Sequence, residues 1–175
     1  MAKRRIVLIG YRGSGKSSVG KALSRLTGEV HIDTDQLIED ATGRSISDIF
    51  EKEGEAAFRE IEQHVITRIP AKAGIISTGG GVVINPANVQ MLRMNSYMVL
   101  LNSDTGVIKR RIKGSDRPSL TGQSPADEIA SVLNERMPAY RRAADFVIDT
   151  SKTTAKEAAG LIVEKVRQGK CSIKE

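Results

Sequence analysis

The sequence predicts an α/β protein in which a parallel β-sheet is covered by helices on both faces. Five short, largely apolar runs lie along the chain, helical stretches separate them, and a glycine or polar residue follows each run. Strands that alternate with helices form parallel sheets, and strands buried on both faces are almost continuously apolar. We therefore expect a single three-layer α/β/α domain over residues 1–175 with a five-stranded parallel sheet.

The spacing of the apolar residues separates the predicted strands from the predicted helices. Apolar residues are contiguous in the strands, as in "RIVLI", and recur every three or four positions in the helices. The predicted strands cover 5–9, 29–32, 74–78, 97–101 and 146–149. The predicted helices cover 16–28, 34–43, 45–54, 55–69, 86–94, 104–113, 125–143 and 154–168. Gly28 and Gly54 mark helix ends, Pro86 marks a start, and Thr34 is the expected N-cap of the helix at 34–43.

Composition limits the range of functions. Hydrophobic residues make up 39% of the chain and charged residues 27%, as in ordinary globular proteins. No apolar run approaches the ~20 residues that cross a bilayer, and a single cysteine, Cys171, excludes a disulfide framework within the chain. The net charge of +6 fits small anionic ligands better than nucleic acid, because the arginines are scattered and aromatic residues do not lie among them. We expect a cytoplasmic protein that binds neither membranes nor nucleic acid.

A glycine-rich segment, "GYRGSGKSS" at 10–18, follows the first strand and opens the first helix. Gly10, Gly15, Lys16 and Ser17 match the pattern G-x-x-x-x-G-K-[ST] of the phosphate-binding P-loop. In this motif backbone N–H groups and a helix N-terminus surround the phosphates, the lysine reaches the β- and γ-phosphates, and the hydroxyl binds Mg²⁺. The sequence therefore predicts a nucleotide site.

The P-loop alone leaves the class of protein open. A GTPase would need a guanine-reading N-K-x-D, which is absent, and "DATG" at 40–43 is better explained as a helix end. A small-molecule kinase needs a carboxylate near Mg²⁺ and often one that orients or deprotonates the acceptor hydroxyl. Asp33 and Asp35 follow the second strand and point the same way in an extended segment. Helix capping is an equally weighted alternative for these two acids.

Two arginines and a glycine run are candidates for holding the acceptor. Arg59 flanks the apolar stripe of its helix, and Arg141 lies near a helix end. Guanidinium groups bind carboxylates bidentately, so the pair suggests an acceptor with an acid group. The "GGG" at 79–81 allows close backbone approach to ligand hydroxyls. Each feature also has a purely structural explanation: a salt bridge of Arg59 with Glu55 or Glu62, a solvated helix end, and a tight turn.

Taken together, these segments resemble the shikimate kinase family. The segments are "GYRGSGKSS", "IDTDQLIE", "TGRSISDIFEKEGEAAFREIE", "STGGG", "DRPSL" and "AYRRAADFVIDT", in this order over about residues 5–165. The resemblance implies a P-loop kinase fold of the nucleoside-monophosphate-kinase type, with strand order 2-3-1-4-5. It implies a substrate-binding segment at about 33–62 and a lid at about 113–125, where "RPSLTG" departs from the family's frequent "RPLL".

The resemblance also implies an activity and a nucleotide site. The family phosphorylates the 3-hydroxyl of shikimate with ATP, in chorismate and aromatic amino acid biosynthesis, and we expect a monomer. The residues implied to hold ATP are Gly13, Ser14, Gly15, Lys16, Ser17 and Ser18. Ser17 and Asp33 are implied to hold Mg²⁺, Arg110 to lie near the adenine, and Arg117 to meet the phosphates from the lid.

The acceptor site implied by the resemblance uses the acids and arginines already singled out. Asp35 accepts or orients the proton of the 3-hydroxyl, and Lys16 and Arg117 complete the catalytic set. Shikimate itself contacts Asp35, Arg59, the Gly80 backbone and Arg141, with Glu62 supporting Arg59.

Two further hypotheses stay open from the residues themselves. One is another small-metabolite P-loop kinase, such as a gluconate-type kinase, because two arginines cannot distinguish among organic acids. The other is a nucleotide-dependent binding or regulatory protein that has lost phosphoryl transfer. The second would be expected to lack Lys16, Asp35 or Arg117, and all three are present.

Overall fold

The structure is a computed structural model that describes residues 5–113 and 124–168. Its five strands form one sheet in the order β2-β3-β1-β4-β5, and every neighbouring pair is parallel. The strands are β1 (Arg5–Ile9), β2 (Val30–Asp33), β3 (Ala73–Ser77), β4 (Ser96–Asn102) and β5 (Phe146–Asp149). The predicted three-layer fold and its strand order are confirmed.

Seven α-helices and one short 3₁₀ turn are found in the described part of the chain. They are α1 (Lys16–Thr27), α2 (Thr34–Thr42), α3 (Ile46–Thr67), the 3₁₀ turn Val82–Ile84, α4 (Pro86–Arg93), α5 (Thr105–Ile112), α6 (Pro125–Ala143) and α7 (Ala155–Arg167). The break expected at Gly54 is present as a kink inside α3, where the φ of 82° is one that glycine adopts readily. No described helix is long and apolar enough to cross a membrane.

The cap of α2 corrects one expectation. Asp33, not Thr34, is the N-cap residue, and its carboxylate accepts a hydrogen bond from the backbone N–H of Asp35. Thr34 is instead fully buried as the first helical residue, where its hydroxyl accepts from the N–H of Gly79 at 3.1 Å. A carboxylate is as good a cap as a hydroxyl, so the pattern Asp-Thr-Asp did not by itself decide between them.

Two apolar layers cover the sheet, and the alternation along β1 shows how they are divided. Val7 and Ile9 face one layer, while Ile6 and Leu8 face the other. The first layer receives Ile66, Leu92 and Tyr140 from α3, α4 and α6. The second receives Val19, Leu23, Ala158 and Ile162 from α1 and α7. β1 is therefore buried on both faces, as its continuously apolar sequence predicts.

Two smaller clusters support the elements at the carboxyl edge of the sheet. α2 and α3 have their own core of Ile38, Ile46, Ile49, Phe58 and Val65, within and just beyond the predicted substrate-binding segment. Tyr11, Ile108, Ile129 and Val132 join the P-loop to α5 and α6. The predicted lid at 113–125 lies outside the described residues except for 113, 124 and 125, and so does Arg117.

Candidate active site

The P-loop connects β1 to α1 at the carboxyl edge of the sheet. Gly13 and Gly15 have φ angles of 78° and 97°, in the left-handed region that glycine tolerates. A Cβ added at Gly10 would lie 2.4 Å from the backbone oxygen of Leu101, so a side chain there would collide with β4. Among the described residues no side chain caps the N-terminus of α1. Its first N–H groups are therefore available to an anion.

Lys16 lies inside the curve of the loop. Its ammonium group is buried and donates to the backbone oxygens of Gly10 at 2.7 Å and Tyr11 at 2.8 Å. Ser14 is also buried, and its backbone oxygen accepts from the hydroxyl of Thr150 at 2.8 Å, after β5. The P-loop is therefore stabilised by hydrogen bonds within the loop and by one from the residue that follows β5.

A cleft of about 620 Å³ opens above the loop, with Gly13, Gly15, Lys16, Ser17 and Ser18 in its lining. Other lining residues come from the carboxyl edge of the sheet and from α1, α2, α5 and α7: Arg12, Val19, Asp33, Asp35, Thr78, Arg111, Ile112, Thr150, Thr153, Thr154 and Ala155. Five of the six residues predicted to hold ATP thus line this cleft, while Ser14 lies buried beneath it.

The arginine predicted to lie near the adenine is not in the lining of this cleft. Arg110 is exposed on α5, whereas its neighbour Arg111 donates to the backbone oxygens of Gly13 at 3.2 Å and Thr150 at 2.7 Å. Successive residues of a helix point about 100° apart, so only one of the pair can face the P-loop. The contact of Arg111 with the P-loop leaves the predicted position of Arg110 near the adenine untested.

Ser17 and Asp33, the two residues predicted to hold Mg²⁺, form a hydrogen bond with each other. The Ser17 hydroxyl donates to Asp33 Oδ2 at 2.5 Å, and Oδ1 of the same carboxylate caps α2. The capping explanation and the metal explanation are therefore compatible, because each uses a different oxygen. A hydroxyl and a carboxylate are hard oxygen donors of the kind that suit Mg²⁺, which takes one or two protein carboxylates together with substrate phosphates.

A second, narrower cavity lies beside the cleft, between the P-loop, α2, α3, the turn at 79–81 and α6. Its lining combines apolar rings with acids and guanidinium groups: Tyr11, Arg12, Asp35, Ile46, Phe50, Phe58, Arg59, Glu62, Gly79, Gly80, Gly81 and Arg136. The two cavities share Arg12 and Asp35. A phosphate in the cleft and a hydroxyl in the second cavity would therefore meet beside these two residues.

Arg59 is held in this cavity by two glutamates of its own helix. It donates to Glu62 Oε2 at 3.0 Å and to Glu55 Oε1 at 2.8 Å, and its guanidinium lies 5.2 Å from the ring centre of Phe58. Burial raises the pKa of Glu62, and the nearby Asp35 adds to the rise, while Arg59 opposes it. Burial lowers the pKa of Arg59, but Glu62 and Glu55 outweigh that effect and raise it. Arg59 therefore remains charged, and Glu62 holds it by a hydrogen bond, the supporting contact that was predicted for Glu62.

The glycine turn makes room for these side chains. A Cβ at Gly79 would lie 2.8 Å from Asp35 Oδ1 and 3.0 Å from Glu62 Oε1, and one at Gly81 would lie 2.2 Å from an Arg59 nitrogen. Tyr140, fully buried on α6, donates its hydroxyl to the backbone oxygen of Gly80. Burial raises the pKa of Tyr140 far above its usual value, so the hydroxyl keeps the proton that this bond needs.

The second arginine of the cavity is Arg136 and not Arg141. Arg141 is exposed, whereas Arg136 is half-buried and lines the cavity. The two are five residues apart, which places them about 140° apart around α6. Arg136 shares a helix face with the buried Ile129, Val132 and Tyr140, so an arginine within an apolar stripe was the signal that could have identified it.

Comparison with known proteins agrees with this geometry. The sequence model of the family described as shikimate kinase matches residues 12–167. A shikimate kinase of Thermodesulfovibrio yellowstonii is 42% identical over 95% of this chain and 99% of its own. One of Caldanaerobacter subterraneus subsp. tengcongensis is 42% identical over 91% of this chain and 94% of its own.

Solved structures give the same result. The shikimate kinase of Acinetobacter baumannii, solved in complex with shikimate, superposes with a TM-score of 0.91 at 31% identity, covering 98% of this chain and 97% of its own. That of Aquifex aeolicus gives a TM-score of 0.80 at 33% identity, covering 94% and 97%. Sequence, fold and the two adjoining cavities lead to one conclusion: this chain belongs to the shikimate kinase family.

Proposed function

We propose that this protein transfers the γ-phosphoryl group of ATP to the 3-hydroxyl of shikimate, releasing ADP and 3-phosphoshikimate for chorismate and aromatic amino acid synthesis. The observation that carries the proposal is the meeting of a P-loop cleft and a guanidinium-lined cavity at one carboxylate, Asp35. The similar structure solved with shikimate supports the choice of acceptor. A gluconate-type kinase is not favoured, since the reported relatives are shikimate kinases.

The nucleotide end of the site binds and neutralises phosphate oxygens. The N-terminus of α1 supplies N–H groups, and the ammonium of Lys16, already inside the loop, is within reach of the β- and γ-phosphates. Ser17 and Asp33 would hold Mg²⁺, and the ion would supply positive charge next to the phosphates. Arg110 and Arg117 keep the roles that the family resemblance implies, near the adenine and on the lid.

The acceptor end of the site orients one hydroxyl. Arg59 and Arg136 can form paired hydrogen bonds with the carboxylate of shikimate, with Glu62 fixing Arg59. We assign to Arg136 the role expected of Arg141, because only Arg136 lines the cavity. The turn around Gly80 lies beside the ring hydroxyls.

The bonds, electrons and proton of the transfer step can all be assigned to ATP, the acceptor hydroxyl and Asp35. The acceptor oxygen bonds to the γ-phosphorus as the bond from phosphorus to the β–γ bridging oxygen breaks, and that electron pair leaves with ADP. The hydroxyl proton passes to a carboxylate oxygen of Asp35, within the cavity where the hydroxyl lies. Positioning and charge neutralisation carry most of such a reaction.

A coupled ADP-release assay tests the proposal. The wild-type protein with ATP and Mg²⁺ is assayed with shikimate, with gluconate and without an acceptor. Turnover that requires shikimate supports the proposal. Turnover only with gluconate overturns the acceptor, and release of ADP that no acceptor accelerates overturns the phosphotransferase assignment.

We also propose that the protein acts as a monomer in the cytoplasm. One cysteine in the chain fits a reducing compartment. Light scattering coupled to size-exclusion chromatography would give a mass near 19.0 kDa for a monomer. A mass of twice that value would contradict the monomer, and recovery in a membrane or periplasmic fraction would contradict the location.

A further inference from the structure

Arg12 and Glu128 form an ion pair at the junction of the two cavities. Arg12 lies in the P-loop between Tyr11 and Gly13, and its guanidinium donates to Glu128 Oε1 in the first turn of α6, 116 residues away in the chain. The Glu128 side chain is 1% exposed and that of Arg12 is 16% exposed. A buried carboxylate that engages a guanidinium fixes the position of that guanidinium closely.

Arg12 lies where the nucleotide cleft and the acceptor cavity adjoin. Within the described residues, Arg12 and Asp35 are the two side chains that line both the nucleotide cleft and the acceptor cavity. A group that moves from one cavity to the other passes between an acid and a cation. Asp35 has a role at this point, as acceptor of the hydroxyl proton, but the P-loop pattern assigns none to the residue at position 12.

We propose that Arg12 is a catalytic residue that contacts the phosphoryl group as it crosses, and that Glu128 is the positioning residue that holds it there. This proposal rests on the function proposed above. The transferred phosphoryl group spreads negative charge over three equatorial oxygens, and a preorganised guanidinium donates to such oxygens without reorganisation. Glu128 engages the Arg12 guanidinium, and a guanidinium carries five N–H donors, more than one carboxylate oxygen accepts, so it can bind a carboxylate and phosphoryl oxygens together.

The environment of the pair supports a fixed cation rather than a mobile one. The Arg12 guanidinium lies 5.8 Å from the ring centre of Tyr11, and Tyr11 is 2% exposed. Glu128 sits at the N-terminal end of α6, where the helix dipole stabilises a negative charge. The ring of Tyr11 and the first turn of α6 therefore restrain the two partners.

The test compares Arg12→Met, Arg12→Lys, Glu128→Ala and the double variant in the shikimate-dependent assay. We expect Arg12→Met to lower kcat by about 10²-fold or more, as the loss of one transition-state donor does. KM for ATP and for shikimate should change less than about threefold, because the contact strengthens only during transfer. Arg12→Lys should recover part of kcat, since it restores the charge without the planar fork.

A double-mutant comparison separates positioning from folding. If Glu128 acts through Arg12, Glu128→Ala should lower kcat in the wild-type background and have little further effect on kcat in Arg12→Met. Arg93→Met is the matched control, because Arg93 also pairs with a carboxylate, Asp145, but at the opposite end of the sheet. It should lower the melting temperature and leave kcat unchanged.

The outcomes distinguish this inference from the function on which it rests. Failure of the wild-type protein to phosphorylate shikimate would overturn the function. Normal wild-type turnover with an unchanged kcat in folded Arg12→Met would overturn the inference alone, and so would a loss confined to KM. If Glu128→Ala fails to fold, Arg12→Met and Arg12→Lys still decide the role of Arg12, and Glu128→Gln replaces the alanine variant.

Discussion

Removing one hydroxyl from Tyr140 should destabilise the protein measurably and disturb the acceptor site. The side chain is fully buried, and its hydroxyl donates to the backbone oxygen of Gly80, in the turn that lines the acceptor cavity. In Tyr140→Phe the ring and its packing remain, while the Gly80 oxygen loses its donor from α6. The substitution thus removes only the hydrogen bonds of this hydroxyl, the one to Gly80 and one shared with Arg136.

The magnitude follows from the environment of the two partners: the Tyr140 side chain is fully buried, and Gly80 is half-buried. A buried hydrogen bond contributes about 1 kcal/mol, and leaving a buried acceptor unsatisfied costs roughly 1–3 kcal/mol. We expect a loss of about 2 kcal/mol in the free energy of unfolding. For a chain of this length, that corresponds to a fall of roughly 4–8 °C in Tm.

Tyr11→Phe is the matched control, because Tyr11 is a tyrosine of similar burial in a neighbouring cluster. Tyr11 is 2% exposed, but its hydroxyl has no hydrogen-bond partner among the described residues. Deleting that hydroxyl should therefore be neutral or slightly stabilising. The two variants lose the same atom from similarly buried rings, so their difference reports the hydrogen bonds of the Tyr140 hydroxyl.

Urea denaturation of both variants gives the measurement, with the slope m as a check that the unfolding transition is unchanged. KM for shikimate should rise in Tyr140→Phe, because the turn around Gly80 is no longer tied to α6. Equal destabilisation by the two substitutions would refute the reasoning, because the hydroxyl would then contribute nothing beyond the ring.

Three further predictions concern the carboxylates and Arg59. Asp35→Asn should lower kcat by about 10²-fold or more and leave the Kd for ATP unchanged, as loss of a general base does; an unchanged kcat would leave Asp35 with a structural role only. Arg59→Ala should raise KM for shikimate at least tenfold, since about 1.4 kcal/mol of binding free energy corresponds to a factor of ten, and a normal KM would place the acceptor carboxylate elsewhere. The pKa of Glu62 is raised above 4.5 in the folded protein. The Glu62 carboxyl group therefore stabilises the fold below pH 4.5, where it is protonated, and this stabilisation is lost as the pH rises through the folded-state pKa. The unfolding free energy of the wild type should therefore fall relative to Glu62→Gln between about pH 4 and neutrality, as measured by urea titrations at several pH values, and parallel curves would contradict the assignment.

The fold could be predicted because local and long-range signals agree. Contiguous aliphatic residues as in β1, and apolar residues at helical spacing as in α7, each specify an element without reference to the rest of the chain. Alternation of the two then requires a covered parallel sheet. The order of the strands does not follow from alternation, and it came from the resemblance of the motifs to a family.

The residues that line the nucleotide cleft could also be predicted from the sequence, because the P-loop is one contiguous segment with a characteristic spacing of residues. The acceptor end is assembled from segments far apart, and there the choice of residue depends on rotation about a helix axis. Arg136 and Arg141 both lie on α6, and their side chains point in different directions. Arg12 was visible in the quoted motif, but only its distant partner Glu128 shows where its charge is held.

Helix α6 fixes the distance between the P-loop and the acceptor cavity, because it contributes residues to both. Along this one helix, which rises about 1.5 Å per residue, Glu128 contacts the P-loop and Arg136, 8 residues further on, lines the acceptor cavity. Tyr140, 12 residues beyond Glu128, bonds to the turn at Gly80. A single inserted residue between them would rotate the later pair by about 100° and carry it away from its partners. Relatives that share this chemistry should therefore tolerate additions in the loops that flank α6, and none between these three positions.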